Sequence, residues 1–179
     1  MAWLEDDSAE GYYILTIAGK EKIFASTNSS YLFFCMSNLK SIENIELLDT
    51  SKVTNMEGMF LQCISLEELD LNKLDTGKVT NMYRIFGNCE KLKKLNLSSF
   101  DTSSVTSMTA MFDFCYNLTI SIDITNKNMQ SFANMFGDAA TKSPAQITVN
   151  YTSETSSLVD SMIATKSSNS NVVKGVQID

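Results

Sequence analysis

A repeat of 26 residues limits the possible folds of this chain more than any other feature. Three successive segments share the pattern Asp-Thr-x-x-Val-Thr-x-Met, and they begin at Asp49, Asp75 and Asp101. Each segment continues into a Phe, a Cys and a Leu at the same offsets. A fixed period of this length is typical of stacked repeats, in which neighbouring units bury each other's apolar side. We therefore expect a solenoid.

Each repeat contains the signals of two elements. Met56, Met59, Phe60 and Cys63 follow the i, i+3, i+4, i+7 spacing that predicts the apolar side of a short helix. The following Leu-Asp-Leu at 69–71 alternates as a strand with one buried face does. Successive strands must then be parallel, with right-handed crossovers. The prediction is an α/β solenoid with parallel strands and short helices.

Weaker copies on both sides complete a single domain. Upstream, Phe34 lies 26 residues before Phe60, and downstream Phe136 matches Phe112 after a deletion of two residues. Degenerate terminal copies are expected because the ends of a stack face water. The sequence thus predicts an N-terminal β cap at 1–22, four to five repeats at 23–144, and a C-terminal β/α cap at 145–179.

Alternating apolar residues predict the structure of these caps. At the N-terminal end, residues 12–17 and 20–24 suggest two strands paired around Ala18 and Gly19. At the C-terminal end we expect a strand at 147–151, a helix at 157–163 and a last strand at 172–178.

The composition excludes several classes of protein. The chain of 179 residues has no histidine, so His-based catalytic triads, His-ligated zinc and imidazole pH switches are excluded. Its 14 basic against 21 acidic residues give a net charge of -7, which argues against nucleic acid as a partner. No segment has the pattern of a signal peptide or a membrane helix. The protein is therefore either cytosolic or exported by a signal outside this chain.

The cysteines allow two interpretations. Cys63, Cys89 and Cys115 share one repeat position on the apolar side, and Cys35 is a fourth. Buried free thiols are the favoured interpretation, with disulfides between adjacent repeats as the alternative. Zinc is disfavoured because no two cysteines have the short spacing of a zinc site.

The repeated aspartates also allow two interpretations. Asp49, Asp75 and Asp101 would line one edge of the solenoid. An Asp side chain that accepts the backbone N–H two residues later forms a turn, and this is the favoured interpretation. Calcium binding by stacked carboxylates is the alternative, although the dense Gly-Asp pattern of known calcium solenoids is missing.

Outward strand positions are the candidate binding site. Glu68 and Lys94 occupy equal positions in adjacent strands and can pair across the sheet. Arg84 and three nearby lysines predict one basic stripe in an otherwise acidic protein. The candidate residues are Glu68, Asp70, Asn72, Arg84, Lys91, Lys93, Lys94, Asn96, Ser98, Ser121 and Asp123.

The repeat string Val-Thr-Asn-Met-x-x-Met-Phe-x-x-Cys-x-x-Leu-x-x-Leu-x-Leu resembles that of the BspA-like leucine-rich-repeat surface proteins, a repeat type that includes mycoplasma lipoproteins. The resemblance covers roughly Tyr31 to Phe136, and Ile85 replaces the usual Met of the Met-Phe pair. It implies a right-handed solenoid of leucine-rich-repeat type in a secreted or cell-surface bacterial protein. Some members of the family are adhesins for host or matrix proteins. It implies no common enzymatic activity and no ligand site.

The residues and the resemblance together predict a non-enzymatic protein. We expect a monomeric, secreted or cell-surface module that adheres to host-surface or matrix proteins through its outward strand face. It would need no cofactor or metal, and it would insert into no membrane. The alternative is a passive spacer in a larger surface protein. An enzyme is disfavoured because we find no convergent pair of acids and no activated nucleophile.

Overall fold

The chain folds as a parallel β-solenoid of about six turns, in a computed structural model that describes residues 2–7 and 11–179, with side chains from residue 11 onward. Its elements in chain order are β1 (Ala2–Asp7), β2 (Tyr12–Ile17), β3 (Ile23–Phe24), β4 (Leu39–Glu43), a 3-10 turn (Ile45–Leu47), β5 (Leu48–Asp49), β6 (Glu68–Asp70), β7 (Lys94–Asn96), β8 (Ile120–Ile124), β9 (Ile147–Tyr151), α1 (Ser156–Ile163) and β10 (Val172–Gln177).

One strand from each coil lies beside the strand of the next coil, and the predicted parallel pairing is confirmed. In β6 and β7, Glu68 lies opposite Lys94 and Leu69 opposite Leu95. A single bridge from Lys94 to Thr119 continues the stack toward β8, which pairs with β9, and β9 pairs with β10. Alternate residues of β8 are buried and exposed, as expected for a sheet with one face on the core.

The prediction of a short helix in each repeat is wrong. Hydrogen-bonded turns occupy these positions instead. In the repeat that begins at Asp49, the N–H groups of Met59 and Leu61 donate to carbonyls three residues earlier, at 3.2 and 3.0 Å. The residues between them behave differently: the N–H groups of Gly58 and Phe60 donate to carbonyls of the next coil, at 2.8 and 2.9 Å. Half of these N–H groups therefore donate to the neighbouring coil, whereas in an α-helix each would donate to a carbonyl of the same helix.

We call these segments, residues 56–63 and the equivalent 82–89 and 108–115, the turn segments. Positive φ angles explain how they differ from helices. Gly58 has φ 56° and Gln62 has φ 63°, and the same positions in later coils also have positive φ, as at Asn88 with 58°. Glycine and asparagine adopt this conformation more readily than other residues. Chains of such turns place the apolar residues on one side at the spacing that a helix would produce. The stripe Met56, Met59, Phe60 and Cys63 is fully buried, so its assignment to the core is confirmed.

A column of stacked phenylalanine rings runs through the core. Ring centroids of neighbouring members lie 5.2, 5.7, 5.7 and 6.0 Å apart, and the rings are nearly parallel. Offset aromatic pairs at such distances stabilise beyond the area that they bury. The column consists of Phe33, Phe60, Phe86, Phe112 and Phe136.

The first member of the column corrects the predicted alignment of the N-terminal copy. Phe33 stacks on Phe60, and the N–H of Phe33 donates to the carbonyl of Met59 at 2.8 Å. Phe34, which the period of 26 selects, is 44% exposed instead. The first coil is therefore one residue longer than the period, and Cys35 falls outside the buried cysteine position and is exposed.

The two predicted N-terminal strands exist, but their predicted mutual pairing is wrong. β2 pairs antiparallel with β1 and parallel with β4, whereas β3 pairs parallel with β5. β2 thus forms a hairpin with β1 and also joins the coil stack through β4, whereas β3 joins the stack through β5. At the other end, the predicted strands at β9 and β10 and the helix α1 are confirmed. Among the described residues, no helix has the length and apolarity needed to cross a membrane.

The phenylalanine column gives a test of the core. Phe86 is fully buried between two rings, so Phe86→Ala is expected to lower the free energy of unfolding by about 3–5 kcal/mol in urea denaturation. Phe24→Ala is the control: Phe24 is 72% exposed, and its loss should cost under about 1 kcal/mol. Equal effects of the two variants would contradict the column.

The turn segments give a test that separates them from helices. Gln62→Gly relieves a positive φ, so we expect the free energy of unfolding to stay unchanged or to rise by up to about 1 kcal/mol. The same change inside a helix would cost roughly 1 kcal/mol. Lys78→Gly, at an exposed turn position outside the positive-φ set, serves as the control and should be destabilising. A clear loss of stability in Gln62→Gly would refute this backbone.

Candidate functional site

The predicted strand-face residues lie on one continuous surface. Positions in successive coils form rows across the strands, because the coils are in register. One row contains Asp70, Asn96 and Ser121, and a second contains Asn72, Ser98 and Asp123. Two shallow grooves of about 430 and 460 Å³ follow these rows, and Asp70 and Asn96 line the first while Ser98 and Asp123 line the second.

Charges on this face are paired between coils. Lys94 Nζ lies 2.6 Å from a carboxylate oxygen of Glu68, so the predicted cross-strand pair is confirmed. Beside it, Lys93 Nζ lies 2.8 Å from Glu67, and the resulting hydrogen bond lowers the pKa of the Glu67 carboxyl. All four side chains are at least 40% exposed, and exposed ion pairs contribute about 0–1 kcal/mol. These pairs can exchange partners at little cost.

The predicted basic stripe is divided between two parts of the coil. Arg84 lies in a turn segment at φ 52°, with its guanidinium 5.3 Å from the ring centre of Tyr83. The lysines lie at the entry to β7, where Lys91 Nζ is 5.1 Å from the ring centre of Tyr12 and donates to its hydroxyl at 3.1 Å. Arg84 therefore belongs to a separate surface.

Two features of this face were missed by the sequence analysis. Asn150 of β9 lies opposite Asp123 and donates to it at 2.8 Å, and it donates to Ser121 at 3.0 Å. A groove of about 530 Å³ lies between Lys93 and Lys94 on one side and Lys142 on the other. The position of Asn150 in a predicted strand was a usable signal. Lys142 gave none, because the repeat pattern has ended there.

The buried cysteines form a column of hydrogen-bonded thiols. Cys63, Cys89 and Cys115 each donate to a phenylalanine carbonyl of the preceding coil, at 3.1, 3.2 and 3.0 Å. Burial raises the pKa of the Cys63 and Cys115 thiols to about 12 and that of Cys89 well above its usual value. All are free thiols, as the favoured interpretation predicts, and none is activated as a nucleophile.

The repeated aspartates close turns. Asp49, Asp75 and Asp101 each accept the backbone N–H two residues later, at 3.0, 3.0 and 2.8 Å, which confirms the turn interpretation. For Asp49, hydrogen bonds from the side chain and the backbone N–H of Ser51 lower the pKa of the carboxyl. Among residues 11–179, the structure contains no cluster of three or more acidic or Cys side chains that could hold a metal ion.

Buried threonines support the same turns from inside. The hydroxyls of Thr50, Thr76 and Thr102 donate to backbone carbonyls of the following coil, at 2.9, 3.2 and 2.9 Å. Each is at most 2% exposed, so an unpaired hydroxyl there would be costly. Asp and Thr of the repeat are therefore scaffold residues.

The fold and the site define a class: a parallel β-solenoid of repeated coils whose outward polar residues form rows across the strands. Within that class, residues 27–149 match the family described as Mycoplasma protein of unknown function, DUF285, and the chain belongs to this family. Comparison with curated proteins and with solved structures finds no match.

The cysteine column predicts a pattern of thiol reactivity. Native protein at pH 8 should react with a disulfide-exchange reagent at the exposed Cys35 alone, and denatured protein at all four cysteines. At a pKa of about 12, roughly one thiol in ten thousand is ionised at pH 8. A Cys35→Ser variant is the control and should show no fast-reacting thiol. Rapid native labelling of that variant would contradict the buried column.

Proposed function

We propose that this protein is a non-enzymatic interaction module of a secreted or cell-surface bacterial protein, which adheres to host-surface or matrix proteins through its strand face. The match to a family described from Mycoplasma supports a bacterial setting. The resemblance of the repeat to the BspA-like leucine-rich-repeat surface proteins supports surface location and adhesion. Both the partner and the location are inferred from these likenesses.

One observation carries the interaction role: the scaffold holds rows of outward polar side chains in fixed register. Core leucines such as Leu69 and Leu95 alternate with exposed residues such as Asp70, so the face is built without disturbing the core. Neighbouring strands are about 4.8 Å apart, so four coils present a face roughly 15 Å long. Extended, rigid faces of this kind are the binding surfaces of solenoid proteins.

A non-enzymatic role agrees with how the reactive groups are used. The repeated aspartates accept turn amides, and the buried thiols donate to carbonyls. The strand-face carboxylates Glu68 and Asp123 lie close to Lys94 and Asn150 respectively. Each of these groups has a structural partner, which favours a scaffold over a reaction site.

The spacer role remains a second candidate because of the ion pairs on the same face. Lys93 and Lys94 meet Glu67 and Glu68 of the preceding coil. A face that neutralises its own charges needs no external partner. The two roles differ in one respect that can be measured, which is whether the strand face binds anything.

Charge reversal on the strand face tests the proposal. The double variant Asp70→Lys, Lys94→Glu leaves the net charge unchanged, and both residues are exposed, so folding should be preserved. We expect binding to the protein's matrix or cell-surface partner to weaken at least tenfold, a loss of about 1.4 kcal/mol. Surface plasmon resonance against a panel of purified matrix and cell-surface proteins measures this.

The control exchanges an ion pair elsewhere. Lys127 and Glu154 lie 2.8 Å apart, and the swap Lys127→Glu, Glu154→Lys keeps both the net charge and the pair. This variant should bind as the original chain does. If the original chain binds no member of the panel, the spacer role is favoured and the adhesion proposal fails.

A further inference from the structure

The groove beside β8 combines three cations with a partly apolar wall. Lys93 and Lys94 stand on its N-terminal side, and Lys142 stands on its C-terminal side. Between them lie the neutral side chains Asn117 and Thr119, and the wall includes Pro144 with the buried Ala145. In a chain with a net charge of -7, this concentration of lysines is exceptional.

The coil order sets the distance between the two basic sides. The N–H of Thr119 donates to the carbonyl of Lys93 at 3.1 Å, and the N–H of Lys142 donates to the carbonyl of Tyr116 at 3.0 Å. Lys93 and Lys142 are therefore two coils apart, and the coil between them lines the groove with the uncharged Asn117 and Thr119. At about 4.8 Å per coil, their backbones are separated by roughly 10 Å.

The cations can accept an external carboxylate. Lys93 and Lys94 hold exposed pairs with Glu67 and Glu68, which exchange at little cost. Lys142 Nζ lies 5.4 Å from the ring centre of Tyr116, and among residues 11–179 it forms no ion pair. Lys142 thus offers a charge without an ion-pair partner among these residues, opposite two charges that are only loosely paired.

The surroundings favour an acidic polypeptide over other polyanions. A neutral sugar chain typically stacks on an open aromatic ring, but the rings of Tyr12 and Tyr116 already carry the amines of Lys91 and Lys142. A nucleic acid carries closely spaced phosphates along its whole length and needs a continuous basic surface, whereas the lysines of this groove lie only at its two ends. In a peptide with the polyproline II conformation, residues three apart lie on the same side and are about 9 Å apart, which matches the separation of the two basic sides.

We propose that this groove binds an acidic segment of the partner protein in the polyproline II conformation, with Asp or Glu at positions i and i+3. One carboxylate meets Lys93 and Lys94, the other meets Lys142, and the residues between them lie over Thr119 and Pro144. This proposal rests on the proposed interaction role and specifies the chemistry of the partner at one end of the strand face.

Fluorescence anisotropy with labelled peptides tests the groove. The probe is a 12-residue peptide of Glu-Ala-Ala repeats, and its matched control replaces every Glu with Gln. We expect the Glu peptide to bind the full chain at 50 mM salt, to weaken at 300 mM salt, and to bind at least tenfold more tightly than the Gln peptide. The variant Lys93→Glu, Lys142→Glu should lose this binding.

A charge-matched variant separates the groove from general electrostatics. Lys78→Glu, Lys127→Glu makes the same change in net charge outside the groove. It removes Lys127, which pairs with Glu154, and Lys78, which forms no ion pair among residues 11–179. It should keep the affinity for the Glu peptide within about twofold. Equal loss in both double variants would overturn the groove, as would binding of a heparin fragment without binding of the Glu peptide.

The outcomes also separate this proposal from the adhesion proposal. A chain that binds a matrix protein through Asp70 and Lys94 but ignores the Glu peptide would refute the acidic segment alone. A chain that binds the peptide but no protein of the panel would uphold the groove chemistry while removing support for adhesion to matrix proteins.

Discussion

Backbone hydrogen bonds between successive coils are the constraint on which the rest of the structure depends. In the turn segments, every second N–H donates to the next coil, as Phe60 does to Ile85 at 2.9 Å. A coil without its neighbour would leave those donors and the matching carbonyls unpaired beside a fully buried core. Stacking is therefore obligatory, and it brings equivalent side chains into contact, so that Phe60 meets Phe86.

The same constraint determines which polar residues the interior can hold. Thr76 and Cys89 are buried, and each finds its acceptor in an adjacent coil at 3.2 Å. In the described part of the chain, every buried side-chain nitrogen or oxygen has a hydrogen-bond partner. A repeated polar residue is thus satisfied by the repeat before or after it, and its presence in three copies reflects the stacking and not a ligand.

Much of the fold could be predicted from the sequence, because the positions that stay apolar in every repeat identify the core residues. The buried stripe, the strand at Leu69 and the turn at Asp75 each follow from a local pattern with one physical explanation. The backbone of the turn segments could not be predicted, since a chain of turns and a helix give the same apolar spacing. Gly58 and Asn88 were signals of positive φ, but Gln62 and Arg84 occupy the same conformation without any such preference. The choice between Phe33 and Phe34 depends on ring stacking, which no local pattern encodes.

The candidate site was harder to predict, because the exposed residues of the strand face differ from one repeat to the next. Along one row of the strand face, Glu68 is followed by Lys94 and then by Thr119, while the buried neighbours Leu69 and Leu95 stay the same. The scaffold therefore tolerates any exposed residue in these rows, because exposed substitutions change stability by only about 0.5 kcal/mol. Recognition must then arise from the order of charges across coils, and from residues such as Lys142 that lie beyond the regular copies. Periodicity identifies the scaffold, whereas the departures from periodicity identify the part of the surface that can distinguish one partner from another.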